Sequence, residues 1–152
     1  MDIEKVLAES DIARGMREEQ LKALAGIAKE VEFEKNDLLI KENDQSCDIF
    51  ILCNGWVSIE LQRFPYDTAA QRLRVLKNKG TVGEFSFIDK SKRSANVRAQ
   101  EKVVCVVLPG ADLEKLAEAD NSIGYAMMKN IAYLLSEKIR NSNFELRNQL
   151  IW

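Results

Sequence analysis

The chain has 152 residues, of which 46% are hydrophobic and 30% charged, the composition of a soluble globular protein of about one domain. Its net charge is −2, whereas nucleic-acid binding requires an excess of positive charge. The sequence contains no histidine, which removes the commonest general base and the commonest zinc ligand and argues against a metal-dependent enzyme.

The ends of the chain and its cysteines indicate a cytoplasmic protein. The first ten residues, MDIEKVLAES, lack the apolar core of a signal peptide, and no later window approaches the roughly 18 apolar residues of a membrane span. The cysteines Cys47, Cys53 and Cys105 are odd in number and lack metal-ligand spacing. We therefore expect buried, reduced thiols, no metal site and no contact with a membrane.

An amphipathic helix is predicted ahead of a series of strands. From Glu18 to Ala28 the residues Leu21, Leu24 and Ile27 follow a helical spacing on a charged background. Runs rich in β-branched and aromatic residues follow at 31–33, 37–40, 48–53, 56–61, 72–76, 95–99 and 103–108. Short strands at this spacing indicate a sandwich or a barrel.

Two connections between these strands have recognisable sequences. Asn54-Gly55 lies between two runs and predicts a tight hairpin, because both central residues of a type I′ turn need positive φ. The stretch from Phe64 to Gln71, which contains Pro65, predicts a longer and mobile loop between two further strands.

After the strands the chain is predicted to be helical nearly to its end. Pro109-Gly110 ends the last strand, Asp112 is expected to cap a short helix from Leu113 to Ala119, and Asn121 or Ser122 to cap a longer one. Apolar residues recur every four positions along the longer helix, at Ile123, Met127, Ile131, Leu135 and Ile139. Packing against the protein's own sheets explains this broad stripe best, and pairing with a second subunit is the alternative.

The segment 82–95, VGEFSFIDKSKRSA, carries the most specific chemistry of the sequence. The carboxylate of Glu84 can only accept hydrogen bonds, which suits a ribose hydroxyl, and the planar fork of donors on Arg93 suits phosphate oxygens. If a short helix begins at Phe85 and Ser86, its free backbone N–H groups would add donors for an anion. The alternative interpretation is an exposed ion pair worth about 0–1 kcal/mol.

This segment resembles the phosphate-binding cassette of the cyclic-nucleotide-binding domain family, which includes catabolite activators, regulatory subunits of kinases and cyclic-nucleotide-gated channels. In that family a Gly-Glu pair, a short helix and an arginine followed by a small residue and alanine hold a cyclic purine monophosphate. The matching residues are Gly83, Glu84, Arg93, Ser94 and Ala95, and the arginine comes nine positions after the glutamate.

The sequence departs from the family pattern at three positions. Val82 stands where an aromatic residue is common, and Asn36 and Asn43 stand at turns where the family usually has glycine. Both turns remain compatible with the family fold, because asparagine tolerates positive φ better than other residues with a side chain.

The resemblance implies the architecture of the whole chain. It predicts an α+β domain at 1–152: a helical lead at 1–29, an eight-stranded antiparallel, jelly-roll-like β-roll at 30–109, and C-terminal helices at 111–150. In the family the last helix closes over the bound base, and in catabolite activators it also pairs two subunits.

The resemblance also implies the ligand contacts. Glu84 is expected to hold the ribose 2′-OH, while Arg93, Ser94 and the amides near Phe85 and Ser86 hold the cyclic phosphate. Weaker candidates are Ile59 and Val82 for an apolar wall and Leu134 and Lys138 for the base, with Tyr133 and Leu135 as neighbours. Core packing and a solvated lysine would explain these weaker candidates equally well.

From these features we expect a regulatory domain without catalytic activity, which binds cAMP in preference to cGMP and needs no other cofactor. A ligand-free interaction or dimerisation module is the alternative. The expected partners are a second copy, through the terminal helix, or an effector protein. No DNA-binding contact is expected, because the sequence stops where catabolite activators continue into a helix-turn-helix, and the apolar residues 150–152 are expected to be packed.

Overall fold

A computed structural model of the chain describes residues 1–61, 71–77 and 79–150. Its helices and strands are α1 (Ile3–Glu9), α2 (Glu18–Ile27), β1 (Lys29–Phe33), β2 (Leu38–Ile40), β3 (Ile49–Asn54), β4 (Val57–Leu61), β5 (Gln71–Leu76), β6 (Thr81–Val82), α3 (Glu84–Asp89), β7 (Asn96–Ala99), β8 (Val103–Leu108), α4 (Gly110–Ala119) and α5 (Asn121–Leu150). The loop predicted from Phe64 to Gln71 lies outside the described residues except for Gln71, which begins β5.

The predicted fold class is confirmed. The described strands form two antiparallel sheets of four strands each, in the orders β1-β8-β3-β6 and β2-β7-β4-β5, with helices before and after them. The strand β6 was not predicted, since its two residues are too few to show a periodic pattern.

The central strands β3 and β8 are buried on both faces because successive side chains alternate between two cores. In β3, Ile49 and Ile51 pack against the helices, whereas Phe50 and Leu52 point between the two sheets. The same alternation along β8 explains why its sequence, VVCVVL, is apolar throughout. The helices therefore pack on one face of the sheet β1-β8-β3-β6, and the sheet β2-β7-β4-β5 packs on its other face.

The prediction of a tight hairpin at Asn54-Gly55 is wrong. The strand before it, β3, pairs with β6 and β8, whereas the strand after it, β4, pairs with β5 and β7 in the other sheet. Of the two residues only Gly55 has positive φ, at 83°. The turn carries the chain from one sheet to the other, and a Cβ at Gly55 would lie 2.6 Å from the carbonyl oxygen of Lys102.

The helix caps also differ from the predictions. α4 begins at Gly110 behind Pro109, so that Asp112 lies inside its first turn instead of capping it. The cap of α5 is Asp120, whose carboxylate accepts hydrogen bonds from the backbone N–H of Ser122 at 2.9 Å and of Ile123 at 3.4 Å. An additional helix, α1, precedes the predicted one and is capped by Asp2.

The long helix α5 packs on the body only through its first half. Ile123, Met127 and Ile131 are buried among the other helices, as predicted, but Ile139 is 61% exposed. Every residue from 139 to 150 is exposed, including Leu150 at 79%, so Leu150 does not pack within this chain. Residues 151 and 152 are not among the described residues. None of the described helices combines the length and apolar character needed to cross a membrane.

The two turn asparagines and the three cysteines were also the subject of predictions. Asn36 and Asn43 have φ of 77° and 67°, the positive values predicted for turn positions. The cysteines are all free thiols, of which Cys105 is fully buried and Cys47 and Cys53 are half-buried.

Candidate functional site

The segment 82–95 forms one side of a small pocket, and a glycine sets its geometry. Gly83 adopts φ of 95° and immediately precedes α3. A Cβ at this position would lie 2.4 Å from the carbonyl oxygen of Asp48 and 2.9 Å from a guanidinium nitrogen of Arg93. The glycine is therefore needed both for its left-handed backbone and for the close approach of its neighbours.

Helix α3 buries Glu84, Ser86 and Phe87 and leaves its other three residues exposed. Phe87 is 3% exposed and anchors α3 in the core formed by the helices. Glu84 and Ser86 are buried at 1% and 2% exposure, while Phe85 is 50% exposed at the rim. A carboxylate at the start of the helix is thereby held inside the protein.

The guanidinium of Arg93 is buried and held by the chain at three points. It donates to Ser46 Oγ at 3.1 Å through Nε, and to the carbonyl oxygens of Gly83 at 2.9 Å and Asp48 at 2.8 Å through its two terminal nitrogens. Since a guanidinium has five N–H groups, these bonds to the described residues leave two donors over. Arg93 is only 3% exposed, so its position is fixed before any ligand arrives.

Burial lowers the pKa of Arg93 from its ordinary value, and nearby acids, of which Asp48 is the strongest, act in the opposite direction. Because an arginine begins so high, the group stays charged at neutral pH. The pocket therefore contains a permanent, desolvated positive charge.

The two oxygens of the Glu84 carboxylate differ in their hydrogen-bond partners. Its Oε1 accepts a hydrogen bond from Lys138 Nζ of α5 at 2.6 Å. Its Oε2 is buried and has no hydrogen-bond partner among the residues that the structure describes. A buried acceptor without a partner is costly, which makes Oε2 the natural contact for a donor from outside the chain.

Most of the site residues predicted from the sequence line this pocket. Its lining consists of Ile40, Ile59, Val82, Gly83, Glu84, Phe85, Ser86, Arg93, Ser94, Ala95, Val97 and Lys138. Its volume is about 70 Å³. Leu134 lies outside it, beside a neighbouring cavity that Lys138 also lines.

A match to a family model agrees with this geometry. The model for the cyclic nucleotide-binding domain matches residues 30–120. This chain belongs to the cyclic nucleotide-binding domain family. The match includes all of the described strands except Lys29 of β1, and every residue that lines the pocket except Lys138.

Solved structures of cyclic nucleotide-binding proteins share the fold. A cyclic nucleotide-binding domain from Methylobacillus flagellatus has a TM-score of 0.83 at 19% identity, covering 97% of this chain and 82% of its own. The catabolite activator protein of Thermus thermophilus has a TM-score of 0.74 at 20% identity, with 91% of this chain and 62% of that one covered. The regulatory domain of Toxoplasma gondii PKA, crystallised with cAMP, has a TM-score of 0.66 at 18% identity, with 75% and 42% covered.

Sequence reasoning missed the part of this cyclic nucleotide-binding domain that holds Arg93. Ser46 and Asp48 supply two of its three acceptors, and the backbone of Arg93 pairs with that of Asn43 and Asp44 at 2.9 and 2.8 Å. The only signal in the sequence was the turn residue Asn43, whose positive φ lets the segment before β3 fold back over the arginine.

The described residues bring no group of three or more cysteine or carboxylate side chains together in a way that could hold a metal ion. The charged residues that line the pocket are one acidic residue, Glu84, and two basic residues, Arg93 and Lys138, and several of its other lining residues are apolar.

Proposed function

We propose that this chain is a regulatory domain without catalytic activity, which binds a cyclic purine nucleotide and signals through α5. The observation that carries the proposal is that a buried carboxylate, Glu84, and a buried guanidinium, Arg93, line the same cavity. Burial of charged groups is costly, and charged groups placed together in a cleft are typical of ligand recognition.

The hydrogen-bonding capacity of the pocket is complementary to a ribose cyclic phosphate. The unpartnered Oε2 of Glu84 can accept the ribose 2′-OH. The two remaining donors of Arg93, the Ser94 hydroxyl and the amides near Phe85 and Ser86 can bind the phosphate. Glu84, Arg93 and Lys138 together carry one net positive charge, which matches the single negative charge of a cyclic phosphate diester.

The remaining pocket residues are suited to a sugar and a base. Ile59, Val82 and Val97 form an apolar wall, and Phe85 at the rim offers a ring on which a base can stack. One buried bidentate contact contributes on the order of 1.5–3 kcal/mol and a stacked base about 1–3 kcal/mol, so a micromolar Kd is attainable.

We favour cAMP over cGMP as the ligand. Ser94 follows Arg93 as a hydroxyl residue does in cAMP-binding catabolite activators, and the Toxoplasma gondii domain with the same fold was crystallised with cAMP. A panel of thermal melts with cAMP, cGMP and open-chain 5′-AMP tests the proposal. We expect the largest rise in Tm with cAMP, a smaller one with cGMP and little with 5′-AMP, whereas no rise with either cyclic nucleotide would contradict it.

A second candidate function is a ligand-free interaction module built on the same fold. It is favoured by the small volume of the pocket, about 70 Å³, and by the ion pair that already occupies one oxygen of Glu84. This function predicts that the thermal melts are the same with and without nucleotides, which separates it from the first.

We further propose that α5 pairs two copies of the chain. The exposed residues Met128, Ile139 and Leu146 and the partly buried Leu135 follow a spacing of seven and four positions along α5. With Ala132 and the polar Ser142 at the intervening positions, the spacing alternates between four and three, as along a coiled-coil seam. Sedimentation should show a dimer for the wild type and a monomer for the double variant Ile139→Glu, Leu146→Glu. A wild type that stays monomeric at high concentration would contradict the pairing.

A further inference from the structure

The guanidinium of Arg93 is held through all three of its nitrogens. Its two terminal nitrogens donate to the backbone carbonyls of Gly83 and Asp48, and its Nε donates to the hydroxyl of Ser46 at 3.1 Å. Two anchors leave a planar group free to swing about the line that joins them, whereas a third anchor off that line fixes the plane. Ser46 supplies the third anchor, and among the described residues it is the one side chain that binds this guanidinium.

The hydroxyl of Ser46 is itself oriented by Asp44. The backbone N–H of Ser46 donates to the Asp44 carboxylate at 3.3 Å, and hydrogen bonding by the Ser46 side chain lowers the pKa of the same carboxyl. Since a hydroxyl carries a single hydrogen, a hydroxyl that donates to Asp44 presents only its lone pairs to Arg93. The acceptor for Nε therefore keeps one polarity, although Ser46 lies at the surface.

The segment 43–46, which lies between β2 and β3, is also paired with the backbone of Arg93. The N–H of Arg93 donates to the carbonyl oxygen of Asp44 at 2.8 Å, and the N–H of Asn43 donates to the carbonyl oxygen of Arg93 at 2.9 Å. Arg93 lines the pocket, whereas neither Asp44 nor Ser46 is among its lining residues. Ser46 therefore acts on the pocket through Arg93.

We propose that Ser46 is a positioning residue: it occupies Nε and fixes the plane of the Arg93 guanidinium, so that a cyclic phosphate binds the two terminal nitrogens and not Nε. This inference rests on the proposed function of the pocket. One N–H group remains on each terminal nitrogen. Two donors on separate nitrogens are sufficient for a bidentate contact with phosphate oxygens.

The proposal predicts that the hydroxyl at position 46 sets the affinity for cAMP. Ser46→Ala removes the acceptor for Nε, Ser46→Thr keeps it, and Gln45→Ala, at the exposed neighbouring position, is the control. If the guanidinium of Ser46→Ala holds the productive orientation for about a third of the time or less, this variant should bind cAMP at least about threefold more weakly. Ser46→Thr and Gln45→Ala should bind like the wild type.

Titration calorimetry separates the failure of this inference from the failure of the proposed function. Equal or tighter binding of cAMP by Ser46→Ala would overturn the positioning role and leave the proposed function standing. Weak binding by Ser46→Thr as well would assign the effect to the shape of the loop and would also overturn the role of the hydroxyl. Absence of cAMP and cGMP binding by the wild type would remove the proposed function and the positioning role together.

NMR of the Arg93 Nε–H group tests the proposal in the wild type, in case Ser46→Ala disturbs the loop. A buried, hydrogen-bonded N–H exchanges slowly with water, so the wild-type signal should exchange slowly both without ligand and at saturation with cAMP. The same signal should exchange fast in ligand-free Ser46→Ala. Fast exchange in the ligand-free wild type, or loss of the Ser46 bond to Nε on saturation with cAMP, would overturn the proposal.

Discussion

The substitution Arg93→Lys separates two roles of the guanidinium, as a brace within the fold and as a ligand for phosphate. In the structure Arg93 is 3% exposed and donates to Ser46 Oγ, Gly83 O and Asp48 O at 2.8–3.1 Å. The ammonium of lysine carries all its donors on one nitrogen at the end of a flexible stem, so we expect it to keep one of the three bonds that the guanidinium makes from three separate nitrogens.

The cost to stability follows from the bonds that are lost. Two charge-assisted hydrogen bonds, at about 1.5 kcal/mol each as a lower bound, give about 3 kcal/mol. For a chain of this size that corresponds to a fall in Tm of about 6–12 °C. Arg140→Lys, at an exposed position of α5, is the control and should leave the Tm unchanged.

Urea unfolding followed by circular dichroism measures the first role, and calorimetry with cAMP measures the second. We expect Arg93→Lys to lose about 3 kcal/mol of stability and to bind cAMP at least about tenfold more weakly, because a lysine cannot form the bidentate contact with phosphate. A loss of stability with unchanged affinity would show that the guanidinium only braces the fold. If neither quantity changed, the reasoning from its three hydrogen bonds would be refuted.

Two further predictions concern the backbone and the titration of a buried thiol. Gly83→Ala places a Cβ 2.4 Å from the carbonyl oxygen of Asp48 at φ of 95°, so we expect urea unfolding to show a loss of more than about 2 kcal/mol. Gly26→Ala, in α2 with open space around it, should instead gain roughly 0.5–1 kcal/mol, and equal effects at both sites would contradict the steric argument. Burial raises the pKa of the Cys105 thiol from 9.0 to about 12. Because the unfolded thiol ionises first, Cys105 should lower the free energy of unfolding by up to about 1.4 kcal/mol per pH unit above pH 9, and Cys105→Ala should have a correspondingly smaller slope. The same slope in both proteins would assign it to other groups.

The strands and the cassette could be predicted because their signals are local. Continuous apolar runs reveal β3 and β8, and the residues from Gly83 to Ala95 keep their spacing whatever surrounds them. The hairpin at Asn54-Gly55 failed for the opposite reason. A turn sequence allows a tight reversal, but the pairing partners of β3 and β4 decide whether the two strands meet, and those partners are distant in sequence.

The contacts that close the site could not be predicted, because they join residues far apart in the chain. Glu84 and Lys138 are 54 positions apart, and Arg93 and Ser46 are 47 apart. Lys138 was a weak candidate for the base, and the periodicity of α5 gave no register for its contacts. Only the folded arrangement of α3 against α5 brings its ammonium to the carboxylate.

The most direct test of the site is calorimetry of the wild type at pH 7 with cAMP and with 2′-deoxy-cAMP. If the free Oε2 of Glu84 accepts the ribose hydroxyl, cAMP should bind once per chain with a micromolar Kd. The deoxy analogue should bind about tenfold or more weakly, because it leaves that buried acceptor without a partner. No binding of either compound, or equal binding of both, would contradict the assignment of Glu84 and Arg93 to one nucleotide site.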